Sequence, residues 1–149
     1  MKNIIFLSII IALTTGSCMQ KEVKSPIEGA WKMAGFSWIS GDTITNYSVP
    51  GPEFGSQIKM WTKNYWSFTG IGKTDTTDID LFGCGTYTLT GTEYEETIIF
   101  HNDKTSINTK YKALLELRGD TLYQTAHPYD STGKQMENYT SIEKYVRAD

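Results

Sequence analysis

From Gly29 to the C-terminus, apolar side chains return at every second residue, and no stretch of useful length repeats at the 3.6-residue period of a helix. A period of two is the strand period, because successive side chains on an extended chain point to opposite faces. "GTYTLTG" shows it plainly: Tyr87 and Leu89 fall on one face, Thr86, Thr88 and Thr90 on the other. A chain patterned this way must bury one face of each strand and leave the other wet. That constrains the fold to antiparallel sheet, since parallel strands need long crossovers, usually helical.

The strands can be placed in order. "AWKMAGFSW" opens the series, with Trp31 and Met33 on one face; Phe36 and Trp38 share a face after a shift of phase that Gly35 allows as a bulge. "TITNYSV" follows and stops at Pro50–Pro52. "SQIKMWT" and "YWSFTG" flank a turn at Lys63-Asn64, and Gly70–Asp80 reads as a polar loop. "GTYTLTG" and "EYEETIIFH" meet across a turn near Gly91, and "HNDK" turns again. "SINTKYKALLELR" reads as one long strand alternating Ile107, Thr109, Tyr111, Ala113, Leu115 and Leu117. Arg118-Gly119-Asp120 reads as a turn, "TLYQTA" returns, "HPYDSTGKQ" loops, and "SIEKYVR" ends the domain. The expected fold class is all-β, with about nine or ten short strands in a sandwich or barrel. Closing the sheet removes both unpaired edges, and a barrel of about eight strands is either filled by side chains or holds one small ligand.

The first residues look like an address. Lys2 precedes an apolar run from Ile4 to Leu13, then small residues and Cys18. The run is too short to cross a bilayer, which takes roughly 20 residues, and fits the apolar core of a signal peptide. "TGSC" resembles the lipobox of bacterial lipoproteins, with Thr15 where leucine is usual, as in the relaxed lipoboxes of Bacteroidetes. The resemblance implies cleavage before Cys18 and a lipid on its thiol. The expected organisation is a signal peptide over 1–17, lipidated Cys18 with a tether over 18–28, and a barrel domain over 29–149. By resemblance to lipoprotein sorting signals, Met19 after the cysteine, with no aspartate, implies the outer membrane as destination. Without Lys2 the chain carries thirteen basic and seventeen acidic side chains, a net charge of −4. Such a balance gives no footprint for nucleic acid. Contact with the membrane is expected through the lipid only. With Cys18 lipidated, Cys84 has no disulfide partner, and no basic cluster lies near it in sequence to activate it.

Gly29-Ala30-Trp31 resembles the Gly-x-Trp opening of the lipocalin and calycin barrels. The resemblance implies that Trp31 packs across the closed end, under a basic side chain of the last strand, Arg147 or alternatively Lys144. "FGCGTYTLTGTEYEETIIFH" resembles the central hairpin of lipocalin-like domain proteins of Bacteroidetes, matching at Phe82, Gly83, Gly85, Thr86, Tyr87, Tyr94 and Glu96 and departing at Cys84, where that family has glycine. "LRGDTLYQ" resembles the penultimate hairpin of the same family. Together these imply an up-and-down lipocalin-like barrel.

Candidate site residues follow from the alternation. Tyr94, Glu96, Ile98 and Phe100 share one face; if it is the inner face, Glu96 is a carboxylate inside a barrel. A buried carboxylate must be paired, hydrogen-bonded or protonated. It lines a cavity with Tyr87 and Tyr94 and meets a polar group of a ligand, or it satisfies a tyrosine hydroxyl or Lys59 within a filled interior, or it lies near the rim and is simply wet. Trp38, Trp61, Trp66, Phe68, Tyr65, Tyr87 and Tyr111 suit either a ligand cavity or a core. The expected ligand-binding set is Tyr87, Tyr94, Glu96, Trp66 and Trp61, with a small hydrophobic or amphipathic molecule as the ligand. The alternative is a filled barrel serving as an interaction module of the envelope, marked by an apolar patch outside the barrel.

His101 and His127 share no ligand spacing with cysteines or carboxylates, and Asp75, Asp78 and Asp80 lack the glycine and terminal glutamate of a calcium loop. No catalytic motif, phosphate loop or dinucleotide fingerprint is present, so neither catalysis nor a cofactor is expected.

Overall fold

Nine strands run in chain order: β1 Gly29–Ser40, β2 Thr43–Ser48, β3 Phe54–Trp61, β4 Tyr65–Lys73, β5 Asp78–Thr90, β6 Glu93–His101, β7 Lys110–Arg118, β8 Thr121–Ala126 and β9 Tyr139–Arg147. They come from a computed structural model that describes residues 25–74, 76–130 and 132–148. The signal segment, Cys18, the tether as far as Lys24, and Asp75 lie outside the described residues.

Each strand from β3 to β9 pairs antiparallel with the next, and β9 pairs back onto β1 from Trp31 opposite Arg147 to Ser40 opposite Tyr139. The other flank of β1 is shared. Its first residues, Gly29–Lys32, pair with β3, and Gly35–Ser40 pair with β2. Eight strands therefore close a ring, and β2 extends the wall at one end. The molecule is an all-β, up-and-down antiparallel barrel.

Two bulges set which side chains enter the barrel, because residues directly opposite in a ladder share a face. On β1 the register shifts between Met33 and Gly35, so that Met33, Phe36 and Trp38 all sit opposite inward residues of β9: Tyr145, Glu143 and Ser141. The phase shift read from the sequence is this bulge. Between β5 and β6 the register shifts between Cys84 and Gly85, leaving Ile99 unpaired. Here the expectation fails for Phe100. The extra residue turns Phe100 outward beside Cys84, 62% exposed, and brings His101 to the inner side opposite Gly83. Gly83 and Gly85 serve the inner face. The rings of Trp66 and Phe68, stacked 6.1 Å apart, pack over this stretch; a Cβ on Gly83 would lie 2.5 Å from Phe68, and one on Gly85 1.9 Å from the Thr97 carbonyl oxygen. Cys84 lies between them on the outer face, opposite Ser67, so a side chain is tolerated there.

Two further readings are corrected. Gly70–Asp80 is mostly strand: β4 continues to Lys73 and β5 starts at Asp78. Lys73 Nζ donates to both carboxylate oxygens of Asp78, 2.7 and 2.8 Å away, and so joins the two ends across the turn. Polar composition suggested a loop because the outer face of this hairpin is wet and its inner face is built partly of glycines, Gly70 and Gly72. The long strand expected from Ser106 instead begins at Lys110. Asp103 caps a turn of 3-10 helix, Lys104–Ser106, and Asn108 takes φ 66°, so the segment before Lys110 turns rather than extends.

Candidate functional site

The barrel interior has three levels. At the floor, the indole nitrogen of Trp31 donates to the Ile27 carbonyl, 2.8 Å away. The Arg147 guanidinium lies 4.1 Å from the Trp31 ring centroid and donates to the carbonyls of Glu28 and Pro26, both at 2.7 Å. The chain thus enters along the underside of the barrel, held between indole and guanidinium. Gly29 starts β1 at φ 129°, a backbone conformation that favours glycine. Ile27 is buried, so the packed part of the chain begins before Gly29. Lys144 sits opposite Gly35 on the adjacent wall, away from Trp31.

Above the floor lies a polar layer. Lys59, Glu96 and Gln124 are all buried. Lys59 pairs with Glu96 and donates to Gln124 Oε1 at 3.0 Å. Tyr94 donates to the same Glu96 oxygen at 2.6 Å and accepts from the Trp61 indole at 2.8 Å. The Lys59 ammonium stands 5.0 Å from the rings of both Trp61 and Trp66 and 5.7 Å from Tyr94, a cage of three aromatic faces. A buried ion pair is tolerated only when its remaining donors and acceptors are met, and no buried side-chain nitrogen or oxygen among the described residues lacks a partner. The layer continues through Gln124, which donates to Glu143 Oε2 at 3.0 Å, and Tyr145, which donates to that oxygen at 2.6 Å while accepting from Gln57 at 2.9 Å.

Burial sets the protonation of this layer. It pushes the hydroxyls of Tyr94 and Tyr145 far up, and the neighbouring carboxylates Glu96 and Glu143 push the same way. Both tyrosines are therefore donors at any physiological pH. Tyr111 is raised for the same reason, first by burial and then by Glu143 and Glu96. Burial also raises the Glu143 carboxyl, against the pull of Lys59 and of the Tyr145 hydrogen bond.

The third level is the mouth. Inward residues of the lower barrel are sealed: Trp31, Trp61, Trp66, Tyr94, Leu115, Leu122 and Tyr145 are each at most 4% exposed. In the upper barrel the inward residues Phe36, Trp38, Gln57, Phe68, Tyr111 and Glu143 keep partial exposure, while the smaller Ile98, Ala126 and Ser141 are buried. Solvent thus reaches the upper half from above and stops at the polar layer. Phe36, Trp38, Tyr47 and Phe54 pack ring against ring along one wall, with centroids 4.8–6.3 Å apart, and with Glu53 they line a pocket of about 420 Å³. Across the mouth, a cleft of about 760 Å³ opens between the β6–β7 connection and the loop after β8; Ile98 and Tyr111 form its inner side. A groove of about 500 Å³ over β6–β8 is lined largely by outward side chains such as Glu95 and Lys112 and belongs to the outer wall.

No family model matches this chain, and no curated protein does. Among solved structures it is similar to a lipocalin-like protein from Bacteroides uniformis, at 17% identity and a TM-score of 0.48, over 81% of this chain and 97% of that one. The fold as described rests on the strand order and the β1–β9 closure.

The five residues expected to bind ligand are thus distributed unevenly. Tyr94, Glu96, Trp61 and Trp66 are brought together, but around Lys59, in the sealed half. Trp66 also spends its indole N–H on the Thr86 carbonyl at 3.1 Å. Tyr87 packs tilted against Tyr94, with ring centroids 5.4 Å apart, and donates to the Thr62 carbonyl at 2.7 Å, near the floor. Tyr65 faces outward, 59% exposed. The residues that the structure adds are Glu143, Gln57, Gln124, Phe54 and Tyr139. "SIEKYVR" carried a signal for one of them: its alternation puts Ser141, Glu143 and Tyr145 on one face. Among the described residues, no group of three or more His, Cys, Asp or Glu side chains is placed to hold a metal.

Proposed function

We propose that this chain is a lipid-anchored envelope protein that binds a small, partly apolar molecule in the mouth of its barrel, and that it is a binding protein, not an enzyme. The observation that carries the reading is the division of the interior. The lower half is occupied by its own side chains, and the upper half keeps solvent access above aromatic walls. Cavities that pair apolar walls with a few polar groups suit small organic ligands. In this reading the ligand lies against Phe36, Trp38, Tyr47 and Phe54, with the polar layer beneath it. Tyr87, Tyr94, Glu96, Trp66 and Trp61 support that layer from below.

The anchor fits the same geometry. The described chain begins at Ser25, seven residues after Cys18, and enters at the floor. Seven residues span at most about 25 Å. A lipid on Cys18 would hold the closed end near the membrane and leave the mouth facing away.

Tryptophan fluorescence tests the binding. Trp31, Trp61 and Trp66 are sealed, whereas Trp38 stands in the mouth. Titration of the purified protein with lipids, quinones and aromatic acids is expected to give a saturable change that disappears in Trp38→Phe. Silence across the panel would remove the reading.

One observation favours the second reading, a protein-interaction module. Ile58, Met60, Ile71, Phe82 and Phe100 stand outward on the neighbouring strands β3–β6, each 40–62% exposed. Contiguous exposed apolar surface marks interaction sites. Crosslinking in cells would then capture one constant neighbour, lost in Phe82→Glu/Phe100→Glu.

A further inference from the structure

Resting on the mouth as the ligand site, we propose that its ligand carries a positively charged amine, seated against Glu143, with its apolar body along the aromatic wall. The argument starts from charge. In the polar layer one ammonium, Lys59, meets two carboxylates, Glu96 and Glu143. Lys59 is hydrogen-bonded to Glu96 and Gln124 and enclosed by three rings. Glu143 receives only neutral donors, the Gln124 amide and the Tyr145 hydroxyl.

Geometry singles out one atom. Both donors land on Glu143 Oε2, and Oε1 takes no hydrogen bond from any described residue. Since no sealed side-chain oxygen among the described residues is without a partner, Oε1 keeps a small accessible surface. Glu143 faces inward, directly opposite Phe36 of the aromatic wall. An unengaged carboxylate oxygen beside an aromatic wall is the complement of an ammonium. The oxygen accepts its N–H, and the ring faces of Phe36, Trp38 and Tyr47 attract its charge. The titratable groups coupled to Glu143 are Lys59 on β3, Glu96 on β6 and Tyr111 on β7, across the barrel, and Tyr145 on its own strand, and of these Lys59 alone is a cation. Burial holds the Glu143 carboxyl above its ordinary range; a cation at Oε1 would pull it back down.

Matched ligand trios test this: octylamine, octanol and octanoate, then phenethylamine, phenethyl alcohol and phenylacetate, titrated calorimetrically into the full mature protein. Each amine is expected to bind at least about tenfold more tightly than the alcohol of the same body, with the acid weakest. In Glu143→Gln the amine-to-alcohol ratio should fall to near one. If that variant does not fold, the wild-type ranking decides alone. Alcohol or acid binding as tightly as the amine would overturn the cationic ligand while leaving the mouth as the site. Failure of all six would overturn it too, and the wider fluorescence panel would then decide for or against the mouth itself.

Discussion

Lys59 is the residue on which the interior turns. It is 3% exposed, paired with Glu96, and joins β3 to β6 and β8 through Glu96 and Gln124. Replacing one member of a buried pair leaves the other charge uncompensated, at a cost of about 3–5 kcal/mol. Lys59→Met is therefore expected to lower the urea midpoint steeply. Lys59→Met/Glu96→Gln, which removes both charges and keeps an acceptor for Tyr94, is expected to recover much of the loss. If the double variant unfolds no later than the single one, the pair is not the source of the cost. Sequence alternation placed Glu96 inward and offered Lys59 as one possible partner, since a buried carboxylate needs one. What it could not supply was the closure that brings β8 and β9 to the same level. Gln124 and Glu143 lie far from Lys59 along the chain, and only the ring makes them neighbours.

Among the elements, the floor segment carries most. Residues 26–28 belong to no strand, yet Ile27 is buried and its neighbours' carbonyls are held by Arg147. An exposed guanidinium over an indole is worth about 0.5–1 kcal/mol, and each hydrogen bond adds about 0.5–1.5. Arg147→Ala is expected to destabilise the barrel by about 1–3 kcal/mol in urea unfolding and to free the amide of Glu28 for hydrogen exchange. Arg147→Lys should recover only part, because an ammonium lacks the fork that reaches two carbonyls. Unchanged exchange at Glu28 in Arg147→Ala would show that the clamp does not hold the segment. The strands themselves were legible because alternation survives at their centres. Their ends were less so: a bulge such as the one at Ile99 reverses every later side chain and leaves composition untouched, which is why Phe100 was misplaced. The 70–80 hairpin was missed for a different reason, because inward glycines carry no apolar signal.

At the scale of the whole molecule the barrel is a cup with a solid base. Three tryptophans and the ion pair fill the lower half, and the fourth tryptophan stands at the rim with Tyr139 5.7 Å away. Strand number left sandwich and barrel both open; the need to remove edges and the resemblance at Gly29-Ala30-Trp31 pointed to the closed one. The filling was not readable, since the same aromatic residues build a core or line a cavity. Acrylamide quenching of tryptophan fluorescence tests this division most directly. The account predicts that wild-type emission has a quenchable fraction that Trp38→Phe abolishes, leaving Trp31, Trp61 and Trp66 protected in the folded protein. A quenchable fraction that persists in Trp38→Phe at the wild-type level would contradict it, because water would then reach the half of the barrel described as sealed.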